Sequence, residues 1–393
     1  MSVFDELVGQ EAVVAQLQAA ADAAARSIAG EAEGAGGMTH AWLFTGPPGS
    51  GRSIAARAFA AALQCERGVG CGHCTACDQA RSGAHPDVAV IVPEGLSLGV
   101  KAAREIITRS SRAPTRGRWQ VTLIEDADRL TEDGTNALLK ALEEPPPHSV
   151  LLLSAPSVED LLPTVRSRCR LAPLRTPPAE AVARVLVQRD GVDPVMAAFA
   201  ARAAQGHIGR AKRLATDEDA RGERRDVLAL PRSLQGVGAA LAAAKGLVEA
   251  AQQESGRLTK DRDEVEKHAL SLALGAGATG KGVTGAAKRS AGAIKDLEKQ
   301  QKSRATRTQR DALDRALVDL AAFYRDVLQV QLQTGAALVH GDLADQSATI
   351  ARATTPESTL RRVDSVLACR TALDANVNPL LAVEAMALAL RTG

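Results

Sequence analysis

Short apolar runs and helical stretches alternate through the first 175 residues. Residues 10–29 are Ala-rich with helical character, "HAWLFTG" (40–46) is a compact apolar run, and "SIAARAFAAALQC" (53–65) is helical again. The alternation continues through "DVAVIVP" (87–93), "VKAAREIITRSSR" (100–112), "WQVTLIED" (119–126), "EDGTNALLKALEE" (132–144) and "SVLLLSAP" (149–156). Short apolar runs bounded by turn residues predict strands, and longer amphipathic segments predict helices. Strands this apolar are buried on both faces, so the pattern predicts an α/β unit with a parallel sheet covered on both sides. "PLRTPP" (173–178) breaks the pattern, and no strand is expected beyond it. Residues 179–218 read as a small helical unit, and from about 232 onward the chain reads as long Ala/Leu-rich helices. Two charged helices, 255–270 and 288–310, flank the Gly-rich stretch 275–285, which suggests a solvated helical hairpin inserted in the third domain.

Composition narrows this picture. Aromatic residues are only 2% of the 393, so the cores must be built from Ala, Leu and Val, which favours helices. The formal net charge is +2, which confines any nucleic-acid surface to a local patch. No run of about 18 apolar residues exists and "MSVFDELVGQ" has no apolar signal core, so a cytoplasmic location is expected, with no membrane contact. Four of the six cysteines, Cys65, Cys71, Cys74 and Cys77, sit together as C-x5-C-x2-C-x2-C. In a chain without a secretory signal this spacing reads as a metal site; four thiolates can close a tetrahedral Zn²⁺ shell, with a structural role because no ligand position stays open. Cys65 is the least certain of the four, with His73 as a substitute; Cys169 and Cys369 stand alone and read as core.

"GPPGSGRS" (46–53) has the spacing of a phosphate-binding loop, between a predicted strand and a predicted helix. Such a loop surrounds phosphates with backbone N–H groups at a helix N-terminus. Gly46, Gly49 and Gly51 supply the backbone freedom, Ser53 is placed to hold Mg²⁺, and Arg52 stands where a lysine is usual. Downstream, "VTLIEDADRL" (121–130) is an apolar strand ending in two carboxylates, Glu125 and Asp126, the arrangement that serves Mg²⁺ and water activation.

The stretch 110–169, with "NALLKALEEPP" and "SRC", closely resembles the ATPase core of bacterial DNA polymerase III clamp-loader subunits. The resemblance covers about residues 1–230 and implies an AAA+ P-loop base domain over 1–174 with a zinc module at 65–77. A helical lid would follow over 175–231, then an all-helical collar over 232–393 with the charged hairpin at about 255–310. The implied nucleotide pocket for ATP or ADP with Mg²⁺ comprises Val8, Gly46, Pro48, Gly49, Ser50, Gly51, Arg52, Ser53, Ile54, Glu125 and Asp126. Arg168 of "SRC" is implied as an arginine finger that stabilises charge in a neighbour's ATP site. Lys101, Arg104 and Arg109 are implied to face primer–template DNA by phosphate contacts. The implied partners are gamma/tau and delta subunits in a hetero-pentamer, and the sliding clamp, at replication forks.

The departures from the family pattern matter as much as the matches. The carboxylates stand as Glu125 then Asp126, where hydrolytic members have Asp then Glu, and a shift of about 1 Å in a catalytic group costs on the order of 100-fold. Arg52 is a bulky planar fork in place of a compact ammonium. Ala155 and Pro156 occupy the neighbourhood of the polar residue that senses the γ-phosphate, and Gly209, beside Arg210, occupies the position of the lid arginine. Together these point to the non-hydrolysing delta-prime class, without ATPase activity of its own. An active gamma/tau-like ATPase, or a plain zinc-stabilised DNA-binding protein, are the competing readings.

Overall fold

The computed structural model describes residues 2–30, 37–274 and 283–393, and the side chains of these outside 283–291. The chain divides into two compact units, Met1–Pro93 with Ser97–Thr216, and Glu94–Leu96 with Asp217–Gly393.

In the first unit the predicted alternation is realised as α1 (Glu11–Ile28), β1 (Ala41–Thr45), α2 (Arg52–Gln64), α3 (Thr75–Ser82), β2 (Val88–Ile91), α4 (Val100–Ser110), β3 (Gln120–Ile124), α5 (Glu132–Glu143), β4 (Ser149–Ala155), α6 (Pro163–Arg166) and β5 (Arg170–Pro173). All strands are parallel, in the order β2-β3-β4-β1-β5. Successive strand residues point to opposite faces, and here each face has its own core. Trp42, Phe44, Val121, Leu123, Val150 and Leu152 pack with α1, α2 and α3. Leu43, Ile124, Leu151 and Leu153 pack with α4 and α5 through Ala103, Ile106, Leu138 and Leu142. The result is a three-layer α/β architecture, with helices on both faces of the sheet. With so few aromatics, the first core closes on an alanine-rich α2 and on Phe59, which is T-shaped to Trp42 with ring centroids 4.9 Å apart and tilted to Phe44 at 6.4 Å.

β5 is the one strand that the pattern did not announce. It has four residues, three of them exposed, and pairs with β1 at the sheet edge. Arg170 lies over the Trp42 ring, 5.0 Å from its centroid, so this strand is held by stacking as well as by its ladder. Helices α7 (Ala179–Asp190), α8 (Pro194–Ala203) and α9 (Ile208–Thr216) complete the unit. α7 stops at Gly191 in the left-handed region, and Asp193 caps α8 by accepting from Met196 N–H.

The second unit is helical among its described residues: α10 (Glu218–Ser233), α11 (Val237–Ala273), α12 (Val283–Gln331), α13 (Ala344–Ala353), α14 (Pro356–Asp374) and α15 (Pro379–Thr392). Its core follows the three-and-four spacing on α12, with Leu313, Leu317, Leu320, Phe323, Tyr324 and Val327 packed on Ala240, Ala244 and Leu247 of α11 and on Val366, Val383 and Met386. The charged segments 255–270 and 288–310 are parts of the long α11 and α12; most of the Gly-rich stretch 275–285 lies outside the described residues. This hairpin is stitched by a nearly buried arginine: Arg304 donates to Asp263 at 3.1 Å and to Glu266 at 2.8 Å. Deeper in the unit, buried Arg224 donates to both carboxylate oxygens of Asp342, at 2.9 and 3.1 Å, and reaches Nδ1 of buried His340 at 2.8 Å. Burial works against the Asp342 carboxylate, but Arg224 holds it below its ordinary range.

Candidate functional site

The loop after β1 leaves the carboxyl edge of the sheet, where ligands of open α/β folds bind. Thr45 is level with Ala155 in the β1–β4 register, and Glu125 and Asp126 leave β3 along the same edge. Pro48, Ser50, Ser53 and Ile54 lie in or just after the loop as expected, and Gly51 caps α2 in the left-handed region. Two glycines are demanded by close approach as well as by φ. A Cβ on Gly46 (φ 149) would stand 2.5 Å from the Leu174 carbonyl oxygen. One on Gly49 (φ 86) would stand 2.4 Å from Cβ of His207, which leads into α9. The loop is thus clasped between the 174–178 linker and the α8–α9 turn. Gln10, which the sequence reading passed over, strengthens that clasp: its amide donates to the carbonyls of Ser50 and Arg175 and accepts from Arg175 N–H.

The side chains around the loop are already engaged with one another. Arg52 turns back so that Nη1 donates to the Gly46 carbonyl of its own loop at 2.8 Å, while Nη2 stands 3.9 Å from Asp126. Burial pulls the Arg52 guanidinium below its ordinary pKa, with Asp126 opposing. Arg57, one turn further along α2, donates from Nε and Nη2 to Oε1 of Glu125 at 3.1 and 2.9 Å. Asp126 sits at φ 48, lies 3.9 Å from Arg129, and its N–H donates to Ser154 Oγ at the end of β4. The backbone cradle and Ser53 suit an anion. The magnesium position does not fit as well, because an arginine approaches each of the two carboxylates that would serve it. Arg57 was missed in the sequence; its signal was a lone cation in an otherwise alanine-rich segment. Of the remaining implied pocket residues, Val8 is half-buried with its N–H on the Glu6 carbonyl. Ile54 lines a cleft of about 290 Å³ with Val3, Glu6, Arg57, Asp78 and Arg81.

Cys65, Cys71, Cys74 and Cys77 come together, with all four Sγ atoms within 4.8 Å of one another. Cys65 ends α2, Cys74 caps α3 and Cys77 lies in its first turn. His73 is turned away, its Nδ1 at 2.7 Å from the Cys71 carbonyl. Tetrahedral Zn–S bonds of about 2.3 Å set sulfurs about 3.8 Å apart, so a small contraction closes the shell and the group can hold a metal such as zinc. Against the cost of burial, N–H groups of Cys71, Arg67 and Val69 bring the Cys65 thiol down to about 6, whereas burial pushes Cys77 up. A metal ion is what would hold both as thiolates.

Arg168 lies past the end of α6, at the rim of the unit. Its Nη2 donates to Glu143 Oε1 at 2.5 Å, and its Nη1 donates to the Thr164 carbonyl at 2.7 Å and to Ser167 Oγ at 3.3 Å. Lys101, Arg104 and Arg109 are exposed on α4, whose buried face carries Ala103, Ile106 and Ser110. The basic loop after α4 is anchored by Asp87, a buried carboxylate that accepts from Thr115 N–H and Oγ1, Arg116 N–H and Gly117 N–H at 2.5–2.8 Å. Gln64 adds a bond from Arg118 N–H and one to the Trp119 carbonyl.

Two family models match: "DNA polymerase III, delta subunit" over residues 24–178, and "DNA polymerase III, delta subunit, C terminal" over 306–392. The delta' subunit of Escherichia coli is 39% identical over 151 residues, 37% of this chain and 45% of its own. The delta' subunit of Pseudomonas aeruginosa is 38% identical over 135 residues, 33% and 41% respectively. The chain belongs to the DNA polymerase III clamp-loader subunit family. Gamma/tau of Mycobacterium tuberculosis is also similar, 35% identical over 189 residues, 47% of this chain and 31% of its own. The chain thus spans under half of the length of each of these relatives. Among solved structures, a gamma subunit-related protein of Thermotoga maritima matches at 16% identity and TM-score 0.40, covering 95% of this chain and 99% of its own. The same organism's RuvB Holliday junction branch migration motor matches at 19% identity and TM-score 0.38, covering 69% and 83%. Among the described residues no helix is long and apolar enough to cross a membrane.

Proposed function

We propose that this clamp-loader subunit is of the non-hydrolysing, delta-prime type and acts on a neighbour's ATP rather than its own. The observation that carries this reading is the arginine engagement of the β3 carboxylates, Arg57 on Glu125 and Arg52 beside Asp126, with Arg52 also folded onto Gly46. A hydrolytic site needs one carboxylate for Mg²⁺ and one for the attacking water; here both would first have to be released. Nucleotide can still occupy the backbone cradle. The match to gamma/tau supports a second reading, a self-sufficient ATPase, which differs in requiring turnover by the isolated chain.

On the first reading the chain joins gamma/tau- and delta-like subunits through the helical region 232–393, which serves as collar, with 175–231 as lid. The four cysteines hold structural Zn²⁺, and Lys101, Arg104 and Arg109 track the phosphates of primer–template DNA. Arg168 is the group that reaches the neighbour's γ-phosphate. The test is the DNA- and clamp-stimulated ATPase of the reconstituted complex. Arg168→Ala should assemble normally and turn over more slowly, and Arg168→Lys should recover little, because a point charge does not reproduce a bidentate fork. An Arg168→Ala complex that hydrolyses ATP and loads clamps at the full rate would sink the reading.

A further inference from the structure

The guanidinium of Arg168 is not free to wander, and the group that holds it comes from another element. Glu143 is the last residue of α5, in the "LEEPP" stretch whose prolines stop the helix. Its Oε1 accepts from Arg168 Nη2 at 2.5 Å across 25 residues of sequence. The end of α5 is itself fixed, because His40, just before β1, meets the Leu142 carbonyl with Nε2 at 2.7 Å. The other nitrogen, Nη1, closes the free end of α6 through the Thr164 carbonyl. The guanidinium is therefore clamped at two nitrogens by two elements, α5 and α6. It has five N–H donors, and three bonds are made here, with the side chain 35% exposed.

We propose that Glu143 is a positioning residue for Arg168: it fixes the plane and reach of the guanidinium before a neighbour's phosphate arrives. This rests on the reading of Arg168 as a trans-acting group. Its physical basis is that a charged donor stabilises a transition state best when its orientation needs no reorganisation at the moment of reaction. An arginine tethered only at Thr164 would sample other rotamers and lose its alignment. Glu143 touches no reacting atom; it acts through Arg168 alone.

The experiment uses the complex reconstituted with its partner subunits, in which the ATPase subunits' own finger arginines are replaced by alanine, so that only the site served by Arg168 turns over. Glu143→Ala should lower kcat roughly tenfold and leave KM for ATP, assembly and thermal stability unchanged. Glu143→Gln, which keeps an oxygen acceptor at the same reach, should recover part of that loss. In an Arg168→Ala background Glu143→Ala should have no further effect. If Arg168→Ala slows the site but Glu143→Ala does not, or if Glu143→Ala costs the same in both backgrounds, the positioning role is overturned while the trans role of Arg168 stands. A rise in kcat on Glu143→Ala would make the carboxylate a competitor for the guanidinium and would equally overturn it. If Arg168→Ala itself has no effect, both the role of Arg168 and that of Glu143 fall.

Discussion

Arg57 closes on Glu125 from the side, donating Nε and Nη2 to the same carboxylate oxygen at 3.1 and 2.9 Å. The carboxylate is 14% exposed, so the pair neutralises a charge that would otherwise sit poorly solvated at the end of β3. Both bonds fall on one oxygen, Oε1, of the carboxylate that would serve water or Mg²⁺ in a hydrolytic site.

The isolated chain should release no phosphate from ATP above background, with or without DNA. Arg52→Lys alone should not restore turnover, because Glu125 stays locked by Arg57. Steady phosphate release by the purified chain that disappears in Ser53→Ala would contradict this.

Arg57→Ala should destabilise the first unit by about 1–3 kcal/mol, since it leaves a largely buried carboxylate without its donor. Arg57→Ala combined with Glu125→Gln should recover most of the loss. Chemical denaturation of the four variants gives the coupling directly, and simple additivity would mean that the pair contributes nothing.

Protein purified without chelator should carry about one Zn²⁺ per chain, consistent with a single four-cysteine shell. Cys71→Ser should lose the metal and lower the melting temperature, and acidification should release metal as the thiolates protonate. Elemental analysis that finds no metal would refute it.

Asp87 links acid stability to the basic loop. Burial alone would raise its pKa, but N–H donors of Thr115, Gly117 and Arg116 hold it at about 2, below the ordinary 3.8. Its folded value is depressed, so its contribution is present above pH 3.8 and is lost as pH falls from there through about 2. Asp87→Asn should therefore destabilise the protein at neutral pH and flatten the acid limb of its stability curve. Faster hydrogen exchange at Thr115–Gly117 would report the loosened loop; an unchanged acid limb would count against the assignment.

Gly49→Ala should cost about 1–3 kcal/mol, through the positive φ and the collision with His207. The shift should appear as a lower melting temperature and as altered His207 resonances in NMR spectra. A neutral substitution would mean that the α8–α9 turn yields freely.

The alternation of apolar runs and helices sufficed for the parallel sheet, because strands buried on both faces must be apolar throughout, as Trp42–Phe44 and Leu151–Leu153 are. Local spacing also sufficed to place the Gly-rich loop between β1 and α2 and to group the four cysteines, since these residues lie close in the chain. Four-residue β5 carried too little pattern to be seen, and its stacking of Arg170 on Trp42 joins residues far apart in sequence. The same limit hid the long-range side-chain pairs. Arg57 and Glu125 are 68 residues apart, Arg168 and Glu143 are 25 apart, and Gly49 meets His207 from another helical layer. Periodicity reports which face of an element is buried; it does not report which charged side chain meets which across the sheet edge. That is set by strand order and helix packing, so only the tertiary structure decided that Arg57 meets Glu125 and that Arg52 approaches Asp126.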